Sequence, residues 1–302
     1  MIRRIKPLFV CALASLAFTG CAPFNYTGAD APEAQVRVEP FAPRPKVALV
    51  LGAGGPRGYA HIGVMRVLEA AGIKYDLIVG SSVGSLLGVF WASGLSAEEI
   101  DRLSNQGGPL TLFDPSPFAD RGWIHGQKLQ DYVNDQVQQR SLQELPRRVI
   151  VVATHRDEKT PRFFTRGNSG VAVRASSAMP GIISPVGILG EEYEDADVTL
   201  PLAVAAARDA GADFIIAVNV YPHLESAPES ASLRSRSESE RRARLIDAQT
   251  AHADFVIHPN TPFNASPRKK FFAAAREIGE TQALAQLPAL QAALAQHFLE
   301  DK

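Results

Sequence analysis

The chain has little cysteine, little net charge and no long apolar run. Of 302 residues only two are cysteine, Cys11 and Cys21, which excludes a small fold held by a disulfide framework. Lys and Arg number 31 against 32 Asp and Glu, a net charge of −1, so no basic field exists to hold nucleic acid. No stretch reaches the roughly 18 apolar residues that a membrane-spanning helix needs. What is present is 46% hydrophobic and 21% charged. That is the composition of one large folded domain, and not of a disordered chain or a collagen-like rod.

The amino end reads as a targeting segment. Arg3, Arg4 and Lys6 precede an apolar stretch from Leu8 to Phe18, and a basic region followed by a short apolar one is the pattern of a signal peptide. Leu16–Cys21 (LAFTGC) resembles a bacterial lipobox, with Phe18 where that motif usually has leucine. The resemblance implies cleavage before Cys21 and transfer of diacylglycerol to its thiol. Residues 1–20 are then the signal; their removal takes three positive charges from a net of −1 and leaves −4. Ala22 in place of aspartate implies outer-membrane sorting, facing the periplasm. Residues 21–45, with five prolines from Pro23 to Pro45, read as an extended tether at most about 80 Å long. Residues 46–302 form the domain.

Short apolar runs at Val47–Leu51, Leu77–Val79, Val149–Ala153, Phe214–Val220 and Phe255–Ile257 lack alternation, which suits strands buried on both faces of a parallel sheet. Helical stripes fall between them. Ala60, Val64, Val67, Leu68 and Ala71 form one, closed by Gly72, and Pro201–Ala210 forms another, closed by Gly211. The alternation predicts an α/β layered fold. Residues 223–250 read as a solvated loop and a polar surface helix, with Arg234–Arg244 a solvated face. A final pair of helices is expected from Ser266-Pro267 onward, with Pro288 marking a kink or a restart.

Two glycine-containing turns follow the first two strands. Leu51–Gly58 (LGAGGPRG) runs into a helix, and free N–H groups at a helix start suit an anion. A dinucleotide fingerprint would need glycine at 57, where Arg57 stands, and no Gly-Lys-Ser/Thr follows for a phosphate loop. Gly80-Ser81-Ser82-Val83-Gly84 is a Gly-x-Ser-x-Gly turn in the required strand–turn–helix setting, which exposes Ser82 at a helix start. Nucleophile and oxyanion donors are the two halves of acyl-transfer chemistry. A histidine base is not evident. Of the seven histidines, His61 reads as a packing residue, and only His258 follows a late strand. The carboxylates of Glu194-Asp195-Ala196-Asp197 are the better candidates.

These residues together resemble the patatin-like phospholipases, in the bacterial branch related to neuropathy target esterase. Leu51–Val64 is similar to that family's glycine-rich oxyanion block, Asp76–Gly84 to its nucleophile block, and Arg174–Pro185 to its A-S-x-A-x-P-x-x-F-x-P block, with Ile183 in place of Phe. Asp195 falls on the aspartate of the family's D-G-G/A motif. The resemblance implies a three-layer α/β/α sandwich with a mostly parallel central sheet, and cofactor-free, metal-independent hydrolysis of lipid acyl esters. It further implies Ser82 as nucleophile, Asp195 as its partner, and an oxyanion hole at Gly54, Gly55, Arg57 and Gly58. Gly80 and Gly84 shape the nucleophile turn. Its partners would be a lipid or ester substrate and, through Cys21, a membrane surface; the oligomeric state is left open.

Three departures bear on the site. Ala53 replaces a family glycine, which is tolerable at negative φ. Pro56 has no N–H to donate. Ala196-Asp197 replaces Gly-Gly: an alanine forced into positive φ would cost about 1 kcal/mol and shift Asp195. Asp197 either crowds Asp195 and raises its pKa or caps the helix after Pro201, the second being the expected role. An alternative function follows from that motif, a lipid-anchored envelope protein that keeps the fold with impaired catalysis. The cleft itself is expected to be shaped by residues 105–145 and Pro262–Phe272. The Phe271-Phe272 pair beside Arg268-Lys269-Lys270 reads as an ordinary helix start with solvated charges, the alternative being contact with a membrane surface.

Overall fold

The computed structural model describes residues 25–106 and 112–300; the expected signal segment and Cys21 lie outside them. Five strands form a parallel sheet in the order β5 (Arg148–His155), β4 (Leu77–Ser81), β3 (Val47–Leu51), β9 (Phe214–Val218), β10 (Phe255–Ile257). On β3, Val47, Leu49 and Leu51 join one apolar layer, while Ala48 and Val50 join the other. A strand so placed needs hydrophobic side chains at every position, which is why these segments read as unbroken apolar runs.

The layers are built from helices α1 (Tyr59–Ala70), α2 (Val83–Ala92), α3 (Ala97–Asn105), α4 (Gln127–Gln136), α5 (Ser169–Ser176), α6 (Val204–Asp209), α7 (Leu233–Thr250) and α8 (Lys269–Glu300). Gly72, at φ 67, follows α1 as expected. The expected C-terminal pair is instead the single helix α8, with Pro288 inside it. Helix α8 lies so close to α1 that a Cβ at Gly63 would stand 2.1 Å from the Arg276 carbonyl, and one at Gly279 2.1 Å from that of Ala60. The two helices meet backbone to backbone, an approach only glycine allows. Among the described residues no helix is long and apolar enough to cross a membrane.

Beyond β5 the sheet turns antiparallel. β6 (Thr160–Phe164) returns along one edge of β5, while β8 (Glu191–Glu194) pairs with Thr154 and His155, past the point where Ser81 of β4 sits opposite Val152. β8 thus runs back down toward the end of β4. β7 (Val186–Ile188) completes a hairpin with β8.

The expected tether is not free from residue 25 onward. β1 (Asn25–Tyr26) pairs in parallel with β7, and β2 (Ala34–Gln35) pairs antiparallel with β6. Val38 is buried in the second apolar layer, and Phe41 packs against it beneath the Arg148 guanidinium. The prolines remove N–H groups without preventing these short pairings, and unsatisfied sheet edges recruit the segment.

Candidate active site

Ser82 stands between the end of β4 and the first turn of α2. Its backbone, at φ 53 and ψ −122, lies in a sparsely populated region that surrounding structure must hold, at a cost of about 1–3 kcal/mol. Three contacts hold it. The Ser82 N–H donates to Ser176 Oγ (2.9 Å), its carbonyl accepts from Ser85 Oγ (2.6 Å), and Gly84 lets α2 lie on β3, since a Cβ there would stand 2.1 Å from the Leu51 carbonyl. Gly80 closes the same turn from within β4.

Asp195 directly follows β8. Because β8 descends along β5 from His155 to Thr154 while β4 ascends to Val152, Ser82 and Asp195 enter one gap opposite Ala153. Ser82 Oγ donates to Asp195 Oδ2 at 2.8 Å. The Asp195 N–H donates to the Ala178 carbonyl (3.0 Å), and its carbonyl accepts from Thr154 Oγ1 (2.9 Å). The Arg174–Pro185 segment therefore fixes both residues, Ser82 through Ser176 and Asp195 through Ala178. No imidazole is hydrogen-bonded to Ser82 or Asp195 among the described residues. His61 is buried and pushed down to about 4; its Nε2–H donates to the Gly52 carbonyl at 2.8 Å and steadies the glycine loop. His258 donates to the Tyr221 carbonyl (2.8 Å), away from Ser82.

Ala196 has no positive φ and sits buried in a short 3-10 turn, so alanine there displaces nothing. Asp197 departs from its expected capping role. Its N–H donates to Asp195 Oδ1 (2.8 Å), while its carboxylate accepts from Arg242 Nε (2.6 Å) and from the Tyr221 hydroxyl (2.7 Å). Arg242, on α7, lies 5.2 Å from the Tyr221 ring centre, so this part of the Arg234–Arg244 run turns inward instead of being solvated. Burial, and next the Asp197 carboxylate, push Asp195 up to about 7; the Asp197 N–H, the Ser82 hydroxyl and the Arg242 charge oppose them. Ser176, Tyr221 and Arg242 were not singled out by sequence. Only Ser176 carried a signal, its place in the Arg174–Pro185 block.

In the glycine loop, Gly52 and Ala53 spend their N–H groups on the carbonyls of Val218 (3.1 Å) and Pro201 (2.8 Å), and Ala53 avoids positive φ. Arg57 departs from expectation. Its N–H closes a turn on Gly54 (3.2 Å), and its side chain reaches the carbonyls of Pro262 (3.2 Å) and Phe263. It clamps the loop from behind and does not line the cleft. The N–H groups of Gly54 and Gly55 make none of these bonds, and Gly55 holds φ 54 with open space on its Cβ side. Gly55, Pro56 and Gly58 line the cleft beside Ser82.

That cleft has a volume of about 290 Å³ and is walled by Val83, Leu86, Phe90, Leu129, Tyr132 and Phe272. Phe272 stacks on Tyr59 with ring centres 4.1 Å apart, so it serves the cleft wall and not merely a helix start. Both regions expected to shape the pocket reach it. The arrangement combines a hydroxyl on a buried carboxylate, free backbone donors and an apolar groove.

Residues 49–207 match the model of the patatin-like phospholipase family. An uncharacterized NTE family protein of Mycobacterium bovis is 37% identical over 182 residues, covering 58% of this chain and 49% of that protein. Lysophospholipase NTE1 of Coccidioides immitis is 31% identical over 193 residues, 61% of this chain and 12% of that protein. The crystal structure of VipD from Legionella pneumophila shares the fold, with a TM-score of 0.51 at 15% identity over 91% of this chain and 71% of that one. The chain spans about half the length of its mycobacterial relative.

Proposed function

Because the chain belongs to the patatin-like phospholipase family, we propose that it hydrolyses lipid acyl esters through a Ser82–Asp195 dyad and an acyl-serine intermediate. The observation that carries this reading is the 2.8 Å bond from Ser82 Oγ to a buried carboxylate. A carboxylate in water is a weak base, but one pushed up to about 7 both accepts and returns a proton near neutrality.

As Oγ attacks the ester carbonyl, its proton passes to Asp195 Oδ2 and the carbonyl oxygen takes up negative charge. The N–H groups of Gly54 and Gly55 are suited to hold that oxyanion. The tetrahedral species collapses, the C–O bond to the alcohol breaks, and Asp195 returns the proton to the leaving alkoxide. Water then enters, gives a proton to Asp195, and attacks the acyl-serine. The fatty acid leaves and Ser82 regains its hydrogen. The apolar groove receives the acyl chain, while alcohol and headgroup stay toward solvent.

A fluorophosphonate probe is expected to label the protein at Ser82 and to leave Ser82→Ala unlabelled. Asp195→Asn is expected to lower turnover of a short-chain nitrophenyl ester by roughly 10²–10⁴; full turnover by that variant would overturn the assignment. We also infer lipidation at Cys21 and an outer-membrane, periplasm-facing location, supported by the lipobox-like Leu16–Cys21. Cys21→Ser is expected to move the protein from the membrane fraction to the soluble one.

A further inference from the structure

Among the described residues, the two large aromatic side chains most open to solvent lie together beside the cleft. Phe118 is 79% exposed and Trp123 74%, and the adjoining Ile182 and Met179 are 45% and 38% exposed. Backbone bonds make them one surface: the Trp123 N–H donates to the Ile182 carbonyl (2.8 Å), the Ser116 N–H to the Trp123 carbonyl (2.8 Å), and the Ile182 N–H to the Met179 carbonyl (3.0 Å). The patch continues into the groove, because Met179 and Ile183 line the cleft that holds Ser82. A Trp and a Phe left in water at the rim of an apolar groove have no role in the core, and such patches mark interaction surfaces.

The occupant is indicated by where the described chain begins. β1 lies parallel to β7, with Asn25 opposite Gly187 and Tyr26 opposite Ile188. The polypeptide therefore enters β1 from the end of β7 that leads back to Ile182. Cys21 is four residues before Asn25, within about 14 Å even if fully extended. A lipid on Cys21 would thus be held within that reach of the start of β1, on the side from which β7 leads back to Ile182, and not at the end of a long tether. Charge points the same way. Arg121, the basic residue inside the loop, is paired with Asp120 (2.6 Å) and Glu192 (2.5 Å), so its charge is not left over to select an anionic partner. Insertion of Trp and Phe at a headgroup boundary needs no such charge.

We propose that the Phe118–Trp123 loop, with Ile182 and Met179, is a lipid-docking face that seats the mouth of the cleft on a bilayer surface. A substrate chain then passes from the bilayer into the groove along Met179 and Ile183 without crossing bulk water.

The chain has two tryptophans, and Trp91 is fully buried, so a change of emission on adding vesicles reports on Trp123. With phosphatidylcholine vesicles, the emission of the full chain is expected to shift to the blue and to be quenched by lipids brominated in the acyl chain. Trp123→Phe is expected to abolish both responses. Phe118→Ser is expected to weaken vesicle affinity about tenfold or more, while labelling of Ser82 and turnover of a water-soluble ester stay unchanged. Quenching measures the depth of Trp123 whatever else attaches the chain to the vesicle, so it supports docking even if no ester is cleaved, an outcome that would remove the hydrolase reading alone. Trp123 emission that stays unmoved and open to aqueous iodide in the presence of vesicles would overturn the proposal, and would leave the face to a protein partner.

Discussion

Burial and the neighbouring Asp197 hold the Asp195 proton up to about 7 against an ordinary 3.8, and two opposite pH dependences follow. In the proposed mechanism Asp195 takes the Ser82 proton only as the carboxylate, so kcat/KM is expected to rise with pH through about 7. Stability runs the other way. A folded-state pKa above the unfolded one means that the folded chain binds this proton more tightly; the contribution is full below about pH 4 and is lost as pH rises through about 7. Thermal melts are expected to show this decline in the native chain and a flatter dependence in Asp195→Asn. The neighbours tune the midpoint. Asp197→Asn removes a charge that raises Asp195 and moves the rising limb to lower pH, whereas Arg242→Met removes one that lowers it and moves the limb to higher pH. Ala196→Gly, which makes the motif more like its family, is expected to cost about 1 kcal/mol in urea unfolding, because Ala196 sits in a turn that alanine adopts without strain.

At the scale of elements, legibility followed burial. β3, β4, β5, β9 and β10 stood out because a strand covered on both faces must be apolar throughout. β1, β2, β7 and β8 did not. They are two to four residues long, and β8 carries three glutamates, two of which pair with cations of nearby loops, Glu192 with Arg121 and Arg156, Glu194 with Lys159. The Ser82 turn was readable from its glycines and Asp195 from a family motif. Arg242 was not: five arginines share that polar stretch, and only contact with Asp197 and Tyr221 distinguishes the one that turns inward. Pro288, readable as a kink or a restart, stands inside the single helix α8, which packs backbone to backbone against α1. That packing has its own test. Gly279→Ala places a methyl group 2.1 Å from the Ala60 carbonyl and is expected to lower stability by about 1–3 kcal/mol, measured by chemical denaturation.

Across the whole molecule, the segment from residue 25 to 45 is part of the domain. Its removal would uncover β7 and β6 and leave the second apolar layer without Val38 and Phe41. A chain deleted of residues 25–45 is expected to lose at least about 2 kcal/mol of stability in urea and to self-associate through the opened edges; light scattering would register the second effect. The pairing of Asn25 with Gly187 also has a consequence in time. Ribosomes release the amino end first, yet this leading strand has no partner until more than 160 further residues have followed it, as the register requires. Helix α1 likewise waits for Gly279, near the other terminus, before its surface is covered. Strand β1 is thus seated only after more than half of the chain has been made, and a chain caught before that moment exposes bare apolar surface to whatever holds it.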